Sequence, residues 1–440
     1  MLPRYTPLAL TLAVFTGVGW LGHRAESSAL GPPAPGAVQQ VIFLSCDGLG
    51  GTLLEAEMQA HPELYPNFWR MVNEGSTTFN ARSSYNSTVT IPSHTCMITG
   101  RPVYQPAGAA NSVHHGVTTN GPSTLSTIPD NGNPNAGYMA SVFDVVHDYG
   151  LSTALWLCKD KMKLFYNSYD ATHGALDTVG ADNGRLKIDR WSITENTSVT
   201  LINDFLADLN ANGLATYSFV HFSDPDRWGH VYGWATPDYW IAVRQCDTQL
   251  GRILTWLDQH PTQKATTAII VSADHGGGKG LSPELDLGSH DLPTARVNYT
   301  VPFLVRAPGF RAGSNLYPYF INRSDPGIDQ VQEGTLPNQP LRNGDQANLA
   351  TALLGLPTVP GSYYLPQLAN PDFFSLEIAR QGTNLRLSWP TSATSYVLEA
   401  SPTLTQPVWR TIAGYSTVGN ERVYLSPLAA ADRYFRLRKK

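Results

Sequence analysis

Short apolar runs alternate with longer segments of helical spacing over most of the chain. Apolar runs that predict β-strands cover Val41–Asp47, Thr153–Cys158, Ala215–Phe222, Thr266–Asp274 and Val301–Gly309. Helical periodicity covers Tyr138–Tyr149, Val199–Leu209 and Asp238–Leu257. Near-continuous apolar strands separated by helices predict an α/β fold with a mainly parallel sheet that is covered on both faces.

The pattern changes after Leu368. Short alternating runs separated by Pro, Ser, Thr and Gly extend from Phe373 to Leu437, and this pattern is typical of a β-sandwich. We therefore predict a boundary near Asn370, with a large α/β domain over 38–369 and a small all-β module over 371–440. The module resembles the fibronectin-III-like modules appended to exported bacterial enzymes and is a candidate for contact with a polymer or a surface.

The N-terminal segment has the order of a secretory signal. Arg4 precedes an apolar run from Pro7 to Gly22, and small residues follow up to Ala29. This order predicts a signal peptide over 1–29 and an exported protein, periplasmic or secreted. The run is short for a membrane span, but an uncleaved N-terminal anchor remains the alternative.

Composition narrows the classes of partner. The 440 residues are 42% hydrophobic and 15% charged with a formal net charge of -5, which is typical of a globular protein. No block of Lys or Arg is present, so a nucleic-acid polymer is excluded as a partner and a small charged substrate remains. The four cysteines, Cys46, Cys96, Cys158 and Cys246, lie in or beside apolar stretches, which favours buried free thiols over disulfide bridges.

Acidic residues follow the predicted strands. Asp47 closes the first strand, Asp224 and Asp226 follow the strand that ends at Phe222, and Asp274 closes the Thr266 strand. Because the carboxyl ends of parallel strands meet at one edge of a sheet, we expect these side chains to lie close together. Carboxylates crowded in this way repel one another unless a cation lies between them.

Histidines accompany these carboxylates. His230 follows Asp226 by four residues, His275 is next to Asp274, and His290 precedes the Val301 strand. Mixed Asp and His sets favour zinc over calcium or magnesium. Each motif alone is also compatible with a surface pair, a turn or a solvated loop, and only their joint order and placement at strand ends favour a metal site.

The stretch TVTIPSHTCMITG, Thr88 to Gly100, predicts a helix start. Pro92 suits the first helical position, Thr90 flanks the cap, and Gly100 ends the helix. The alternative is that Thr90 is a hydroxyl nucleophile placed at the helix N-terminus, and the two interpretations are compatible.

The motifs SCDGLG, TIPSH, HHGVTTN, DPDRWGH and SADHG together resemble the alkaline phosphatase superfamily in its type I phosphodiesterase/nucleotide pyrophosphatase branch. The resemblance runs from about Val41 to Ser362 and implies an alkaline-phosphatase-like three-layer fold. It also implies a phosphoester hydrolase with two Zn²⁺ ions. One zinc is expected at Asp226, His230 and His290, and the other at Asp47, Asp274, His275 and the Thr90 oxygen.

The same resemblance assigns catalytic roles. Thr90 is expected to attack the phosphorus as the nucleophile and to form a phospho-threonine, and Asn120 is expected beside the phosphate. Helix N–H groups near Pro92 are expected to stabilise the phosphate oxygens. The sulfatase branch is disfavoured, because it places Cys or Ser, with a following Arg, where this chain has Thr90 and His94.

The stretch LWLCKDKMKLF places two lysines after an apolar strand. Lys159 and Lys161 are solvated strand-end lysines in one interpretation. In the other they grip the extra charge of a phosphate monoester, as a similar Lys-x-Arg does in some periplasmic relatives. Lysine at 161 lacks the bidentate fork of arginine, so strong monoester preference is not expected.

The sequence thus predicts an exported two-zinc hydrolase of small phosphorylated substrates, nucleotides or phosphodiesters, with activity on monoesters as well. The alternatives are a phosphate monoesterase of the periplasmic alkaline phosphatase type, and a catalytically silent surface or binding protein that retains the fold.

Overall fold

A computed structural model describes residues 38–179, 181, 184–195, 197–278, 288–335, 339–368, 376–391, 396–403, 408–418, 421–429 and 434–439. The predicted signal peptide and the predicted boundary near Asn370 lie outside these residues, so both stay predictions. Over the described ranges, none of the helices has both the length and the apolar character that a membrane span requires.

The large domain is built on an eight-stranded sheet, counted over the described residues, with the order β4-β3-β5-β1-β6-β7-β2-β8. The strands are β1 (Gln40–Cys46), β2 (Ser76–Arg82), β3 (Thr153–Leu157), β4 (Arg190–Ile193), β5 (Tyr217–Phe222), β6 (Thr267–Ser272), β7 (Thr300–Arg306) and β8 (Ser314–Asn315). Neighbouring strands are parallel, except that β7 is antiparallel to both β6 and β2. The predicted mainly parallel sheet is confirmed.

Helices connect these strands and cover the sheet. They are α1 (Gly51–Ala60), α2 (Pro66–Glu74), α3 (Thr90–Thr99), α4 (Ile128–Asn131), α5 (Val142–Asp148), α6 (Lys163–Ser168), α7 (Ser198–Asn212), α8 (Asp224–Tyr232), α9 (Pro237–Gln259), α10 (Pro261–Thr266), α11 (Arg296–Tyr299) and α12 (Asp345–Leu353). Helices α2, α7 and α8 pack on α9, whereas α3 and α5 pack on α12. All residues of β3, β5 and β6 are buried, so both faces of the sheet are covered and the three-layer class is confirmed.

Three strands of the sheet are absent from the sequence prediction, namely β2, β4 and the two-residue β8. Strand β2 has the sequence STTFNAR, and β4 has the sequence RWSI with no fully buried residue. Neither is an apolar run, because β4 is an edge strand and β2 lies beside the two-residue β8. The helix predicted over Tyr138–Tyr149 begins later, at Val142, where Ser141 and Asp144 form a capping box.

The C-terminal residues form two antiparallel sheets. The strands are β9 (Glu377–Gln381), β10 (Asn384–Pro390), β11 (Tyr396–Ser401), β12 (Arg410–Thr411), β13 (Ser416–Val418), β14 (Glu421–Pro427) and β15 (Tyr434–Lys439). One sheet has the order β13-β14-β10-β9 and the other β12-β11-β15. Leu387 and Trp389 of the first sheet pack with Leu398 and Ala400 of the second in a core of their own. The predicted β-sandwich is confirmed.

The four cysteines are free and buried, as the sequence predicts. Burial raises the pKa of the Cys96, Cys158 and Cys246 thiols, so these thiols are protonated and unreactive.

Candidate active site

Three aspartates meet at the carboxyl edge of the central strands. Asp47 follows β1 directly, Asp274 lies just beyond the neighbouring β6, and Asp226 lies in the first turn of α8, which begins after β5. The turn after Asp47 joins two of them, since the Gly48 N–H donates to Asp274 Oδ1 at 3.0 Å. The Asp226 N–H in turn donates to the Asp47 carbonyl at 3.0 Å. The sheet order therefore brings together carboxylates that are far apart in the sequence.

Gly48 permits this close approach. Its φ is +73°, and a Cβ at this position would lie 2.8 Å from Asp226 Cα. A side chain here would be strained by the backbone conformation and would also push Asp226 away from Asp47. The glycine in SCDGLG is thus explained by the geometry of the site.

Helix α8 presents Asp226 and His230 one turn apart on the same face. Oδ1 of Asp226 lies 3.4 Å from His230 Nε2 and 3.7 Å from His290 Nε2. The ligand atoms of these three residues all lie within 4.8 Å of one another, so they can hold one metal ion. Asp47, Asp226 and His275 form a second group within the same limit.

The three predicted metal histidines share one hydrogen-bonding pattern. Nδ1 of His230 lies against the Gly288 carbonyl, Nδ1 of His275 against the Gly276 carbonyl, and Nδ1 of His290 against the Thr88 carbonyl. A carbonyl oxygen only accepts, so each Nδ1 carries the proton and donates it. In the neutral ring, Nε2 is then left with a lone pair, which is the form that binds a metal.

Four buried atoms of this cluster have no hydrogen-bond partner: Asp47 Oδ1, Asp226 Oδ1, Asp274 Oδ2 and His275 Nε2. Buried polar atoms are almost always paired, because an unpaired one costs about 1–3 kcal/mol. The four atoms lie together, with His275 Nε2 at 3.2 Å from Asp274 Oδ2 and 3.6 Å from Asp47 Oδ1. Carboxylate oxygens and imidazole nitrogens that lack other partners fit one or more metal ions at this position.

Charge in the cluster is unevenly distributed. Burial disfavours the ionised form of Asp47, but the Lys159 ammonium and His221 outweigh it and hold the Asp47 pKa well below its ordinary value. Burial and the Asp47 charge raise the Asp274 pKa well above its ordinary value. Burial lowers the His275 pKa, and burial with the neighbouring His275 lowers the His290 pKa to about 3. The imidazoles of His275 and His290 are thus neutral and available as ligands at neutral pH.

Thr90 is the first residue of α3 and is buried. Two residues before it, Thr88 Oγ1 donates to the His290 carbonyl at 2.6 Å. One turn after it, His94 Nδ1 lies 3.5 Å from Asp274 Oδ2. The chain on both sides of Thr90 is therefore fixed against residues of the two predicted metal sites.

The start of α3 differs from the sequence prediction in two respects. The helix begins at Thr90, so Pro92 occupies the third position instead of the first, while Gly100 ends the helix with a φ of 64° as predicted. The helix N–H groups near Pro92 are also engaged within the protein. The Ile91 N–H donates to Asn120 Oδ1 at 3.0 Å, and the Ser93 N–H donates to the Val89 carbonyl at 3.1 Å. Pro92 itself has no N–H. Because the N–H groups of Ile91 and Ser93 already have partners, their expected contribution to phosphate binding is not supported.

Asn120 and Lys161 are adjacent. Lys161 Nζ donates to Asn120 Oδ1 at 3.2 Å, and the same oxygen accepts the Ile91 N–H. These two donors fix the Asn120 amide, with its oxygen directed to α3 and Lys161. The structure thus brings together Asn120, Lys161 and the N-terminus of α3.

Lys159 lies among the carboxylates. Its ammonium donates to Asp47 Oδ2 and to Asp226 Oδ2, each at 2.6 Å. Burial opposes the charged form of Lys159, but the two carboxylates outweigh it and raise the Lys159 pKa. The remaining oxygens of these aspartates, both Oδ1, are two of the four unpaired atoms.

Sequence reasoning gave no role to three buried residues that surround the site. His221 contacts Asp47, and His94 contacts Asp274. The Trp234 indole packs edge-on to His230 and His290, and its Nε1 donates to the Gly48 carbonyl at 2.8 Å. Strand alternation could have indicated His221, which pairs with Ser45 in the β1–β5 register, but the sequence gives no signal for Trp234.

Comparison with solved structures finds similar proteins at low identity. Murine ectonucleotide pyrophosphatase/phosphodiesterase 5 is 13% identical, with a TM-score of 0.46, over 73% of this chain and 96% of the murine one. The human protein is 13% identical with a TM-score of 0.45 over the same shares. Ps i-CgsB in complex with k-i-k-neocarrahexaose is 13% identical with a TM-score of 0.47, over 85% of this chain and 86% of the other. No curated protein matches the sequence.

A family comparison is more specific. The sequence model of the type I phosphodiesterase/nucleotide pyrophosphatase family matches residues 41–121 and 142–282. The matched ranges make up half of the chain and contain Asp47, Thr90, Asp226, His230 and the pair Asp274 and His275. The chain therefore belongs to the type I phosphodiesterase/nucleotide pyrophosphatase family and is a hydrolase that acts on phosphoric ester bonds.

Proposed function

We propose that this protein is an exported two-zinc phosphoester hydrolase that acts through a phospho-threonine on Thr90. Its substrates are small phosphorylated molecules, nucleotides or phosphodiesters, and it also accepts monoesters. The proposal is carried by the four buried, unpaired ligand atoms of Asp47, Asp226, Asp274 and His275. Such atoms are costly in a protein that has no cation to bind.

The donor set fits two zinc ions. Asp226, His230 and His290 would hold one zinc, and Asp47, Asp274, His275 and the Thr90 oxygen would hold the other. Zinc bound to these residues would place positive charge beside the Thr90 hydroxyl and the phosphoryl oxygens, and would thereby lower the pKa of the hydroxyl.

The chain's own groups define the rest of the reaction. Thr90 Oγ forms a bond to phosphorus while the bond between phosphorus and the leaving oxygen breaks, and the hydroxyl proton passes to solvent. Water then attacks the phospho-threonine, which releases the phosphoryl product and restores the hydroxyl. Asn120, whose oxygen is held by Ile91 and Lys161, directs its amide N–H groups away from those donors and toward a phosphoryl oxygen.

One observation favours activity on monoesters. Lys161 is half-buried and lies 3.2 Å from Asn120, so its ammonium is placed at the same phosphoryl group. Burial and the nearby Lys159 lower the Lys161 pKa, so a bound anion would stabilise the charged form of Lys161. A dianionic monoester brings one more negative charge than a diester and benefits more from this cation.

Zinc analysis of the purified chain, combined with hydrolysis of bis-p-nitrophenyl phosphate, tests the proposal. Two zinc ions per chain with turnover are expected, and chelation should abolish the turnover. A chain that binds no zinc and has no turnover would instead be a silent binding protein with this fold, for which the C-terminal module is the candidate contact surface. Export is tested separately by fractionating cells and determining the mature N-terminus by mass spectrometry, which should begin near residue 30.

A further inference from the structure

His221 lies beneath the predicted metal ligands and has no assigned role. It occupies β5, directly across from Ser45 of β1, and its side chain is buried. Nε2 of His221 lies 2.9 Å from Asp47 Oδ2. Asp47, His94 and His221 could by distance hold a further metal ion, because their ligand atoms lie within 4.8 Å of one another.

The hydrogen bonds of the two histidines argue against that metal site. His221 Nδ1 is approached by the Cys158 backbone N–H at 3.3 Å, and an N–H can only donate. Nδ1 of His221 is therefore the acceptor, and the ring proton is on Nε2, directed at Asp47. His94 Nδ1 donates to the Thr90 carbonyl at 2.8 Å, and its Nε2 faces the Ser45 hydroxyl at 2.8 Å. Both nitrogens of each ring are thus occupied.

This arrangement is the reverse of that in the predicted metal histidines. In His230, His275 and His290, Nδ1 donates to a carbonyl and Nε2 keeps its lone pair for a metal. In His221 a backbone N–H occupies Nδ1, so Nε2 is a donor to a carboxylate. The backbone contact to Nδ1 therefore distinguishes His221, which supports a predicted ligand, from the three histidines that are predicted to be ligands themselves.

The bond from His221 also selects the oxygen of Asp47 that faces the metals. Oδ2 accepts from His221 and from Lys159, whereas Oδ1 has no partner and lies 3.6 Å from His275 Nε2. We propose that His221 is a positioning residue that fixes the Asp47 carboxylate with Oδ1 directed at the metal, and that it is not itself a metal ligand. The inference rests on the proposed two-zinc function.

Two substitutions of His221 test its contacts with Cys158 and with Asp47 one at a time. Asparagine places its amide near the position of Nδ1 and can still accept the Cys158 N–H, but it is too short to reach Asp47. Glutamine extends to the position of Nε2 and can donate to Asp47. His147 provides a matched control, because it is a buried histidine whose Nδ1 lies 2.9 Å from Asp177, away from the predicted ligands.

Zinc affinity of the full chain is measured by competition with a chromogenic chelator, together with the absorption spectrum of the cobalt-substituted protein. His221→Asn should lower the affinity for one of the two zinc ions by about 10–100-fold and change the absorption spectrum of the cobalt-substituted protein. His221→Gln should recover most of the affinity, and His147→Asn should leave both zinc ions and the spectrum unchanged.

Four results would overturn the inference. A third zinc in the wild-type protein that is lost in His221→Asn would make His221 a ligand. Equal losses of zinc affinity in His221→Asn and His147→Asn would show that the effect comes from a lower overall stability of the protein. If His221→Asn binds two zinc ions with unchanged affinity, His221 has no positioning role, but the proposed function is unaffected. A wild-type protein without zinc would contradict both proposals.

Discussion

The Lys159 ammonium lies 2.6 Å from Oδ2 of Asp47, a predicted metal ligand. The same ammonium lies 2.6 Å from Asp226 Oδ2, so one cation is shared by two carboxylates. The sequence leaves open whether Lys159 and Lys161 recognise a monoester, but the structure shows that the Lys159 charge is engaged by these aspartates. Lys161 instead contacts Asn120, the residue that the proposed function places beside the phosphate.

The first prediction compares these two lysines. Lys161→Ala should lower kcat/KM for p-nitrophenyl phosphate about tenfold more than for bis-p-nitrophenyl phosphate, which corresponds to about 1.4 kcal/mol of differential stabilisation. Lys159→Ala should lower kcat/KM for both substrates to a similar extent, because it removes the cation that Asp47 and Asp226 share. A selective monoester loss in Lys159→Ala, with equal losses in Lys161→Ala, would reverse the assignment.

The second prediction concerns the nucleophile. Thr90→Ala should lower turnover by several powers of ten, because no other group would replace the hydroxyl in its bond to phosphorus. Most of the zinc should remain bound through the six other ligands, and Thr90→Ser should keep part of the activity. Initial rates and zinc content measured on the same samples separate a lost nucleophile from a lost metal. An alanine variant with near-normal turnover would remove Thr90 from the mechanism.

Much of the site was accessible from the sequence because its three aspartates follow strongly apolar strands. Asp47 and Asp274 follow β1 and β6, and an α/β pattern places the carboxyl ends of its parallel strands at one edge of the sheet. The DPDRWGH motif is also predictable, since the spacing of Asp226 and His230 fits one helical turn. Residue types, strand ends and order along the chain were therefore sufficient to predict that these carboxylates and histidines lie close together, whereas their role as metal ligands stays a prediction.

The supporting residues were not accessible in the same way. His221 becomes a donor to Asp47 only because the Cys158 N–H reaches its Nδ1, and that contact depends on how β3 ends beside β5. Strand β4 is an exposed edge strand, so its residues carry no apolar pattern. The N–H of Ile91 appears available in the sequence, yet Asn120, far along the chain, occupies it. These features depend on tertiary contacts that local patterns do not encode.

The third prediction concerns pH. His115 is buried, accepts the Val117 N–H at Nδ1, and has Nε2 at 3.3 Å from Cys96 Sγ. Burial lowers its pKa from 6.5 to about 3. The unfolded chain takes up this proton near pH 6.5 and the folded protein does not, so the unfolded state binds more protons over the window between these values. The free energy of unfolding should therefore fall as the pH decreases from 6.5 toward 3.

The variant His115→Gln isolates this contribution. It should be less stable than wild type at pH 7.5, because it loses the packing of the ring, but its stability should decrease less between pH 7.5 and pH 5. Urea unfolding in the presence of a chelator measures the difference without a contribution from zinc release. Parallel pH dependences in the two proteins would show that His115 is not held neutral by the fold.

The last prediction concerns Gly277 and Trp234. A Cβ at position 277 would lie 2.1 Å from Trp234 Cε2, so Gly277→Ala must displace the indole. Displacement breaks the hydrogen bond from Trp234 to the Gly48 carbonyl and removes the ring that packs against His230 and His290. We expect weaker zinc binding at the site of these two histidines. In a Trp234→Phe background, Gly277→Ala should lower the zinc affinity less, because the smaller ring leaves room for the methyl group. The effects of the two single substitutions should therefore not add up to that of the double variant. Additive losses would mean that Gly277 acts through the backbone of its own loop and not through the indole.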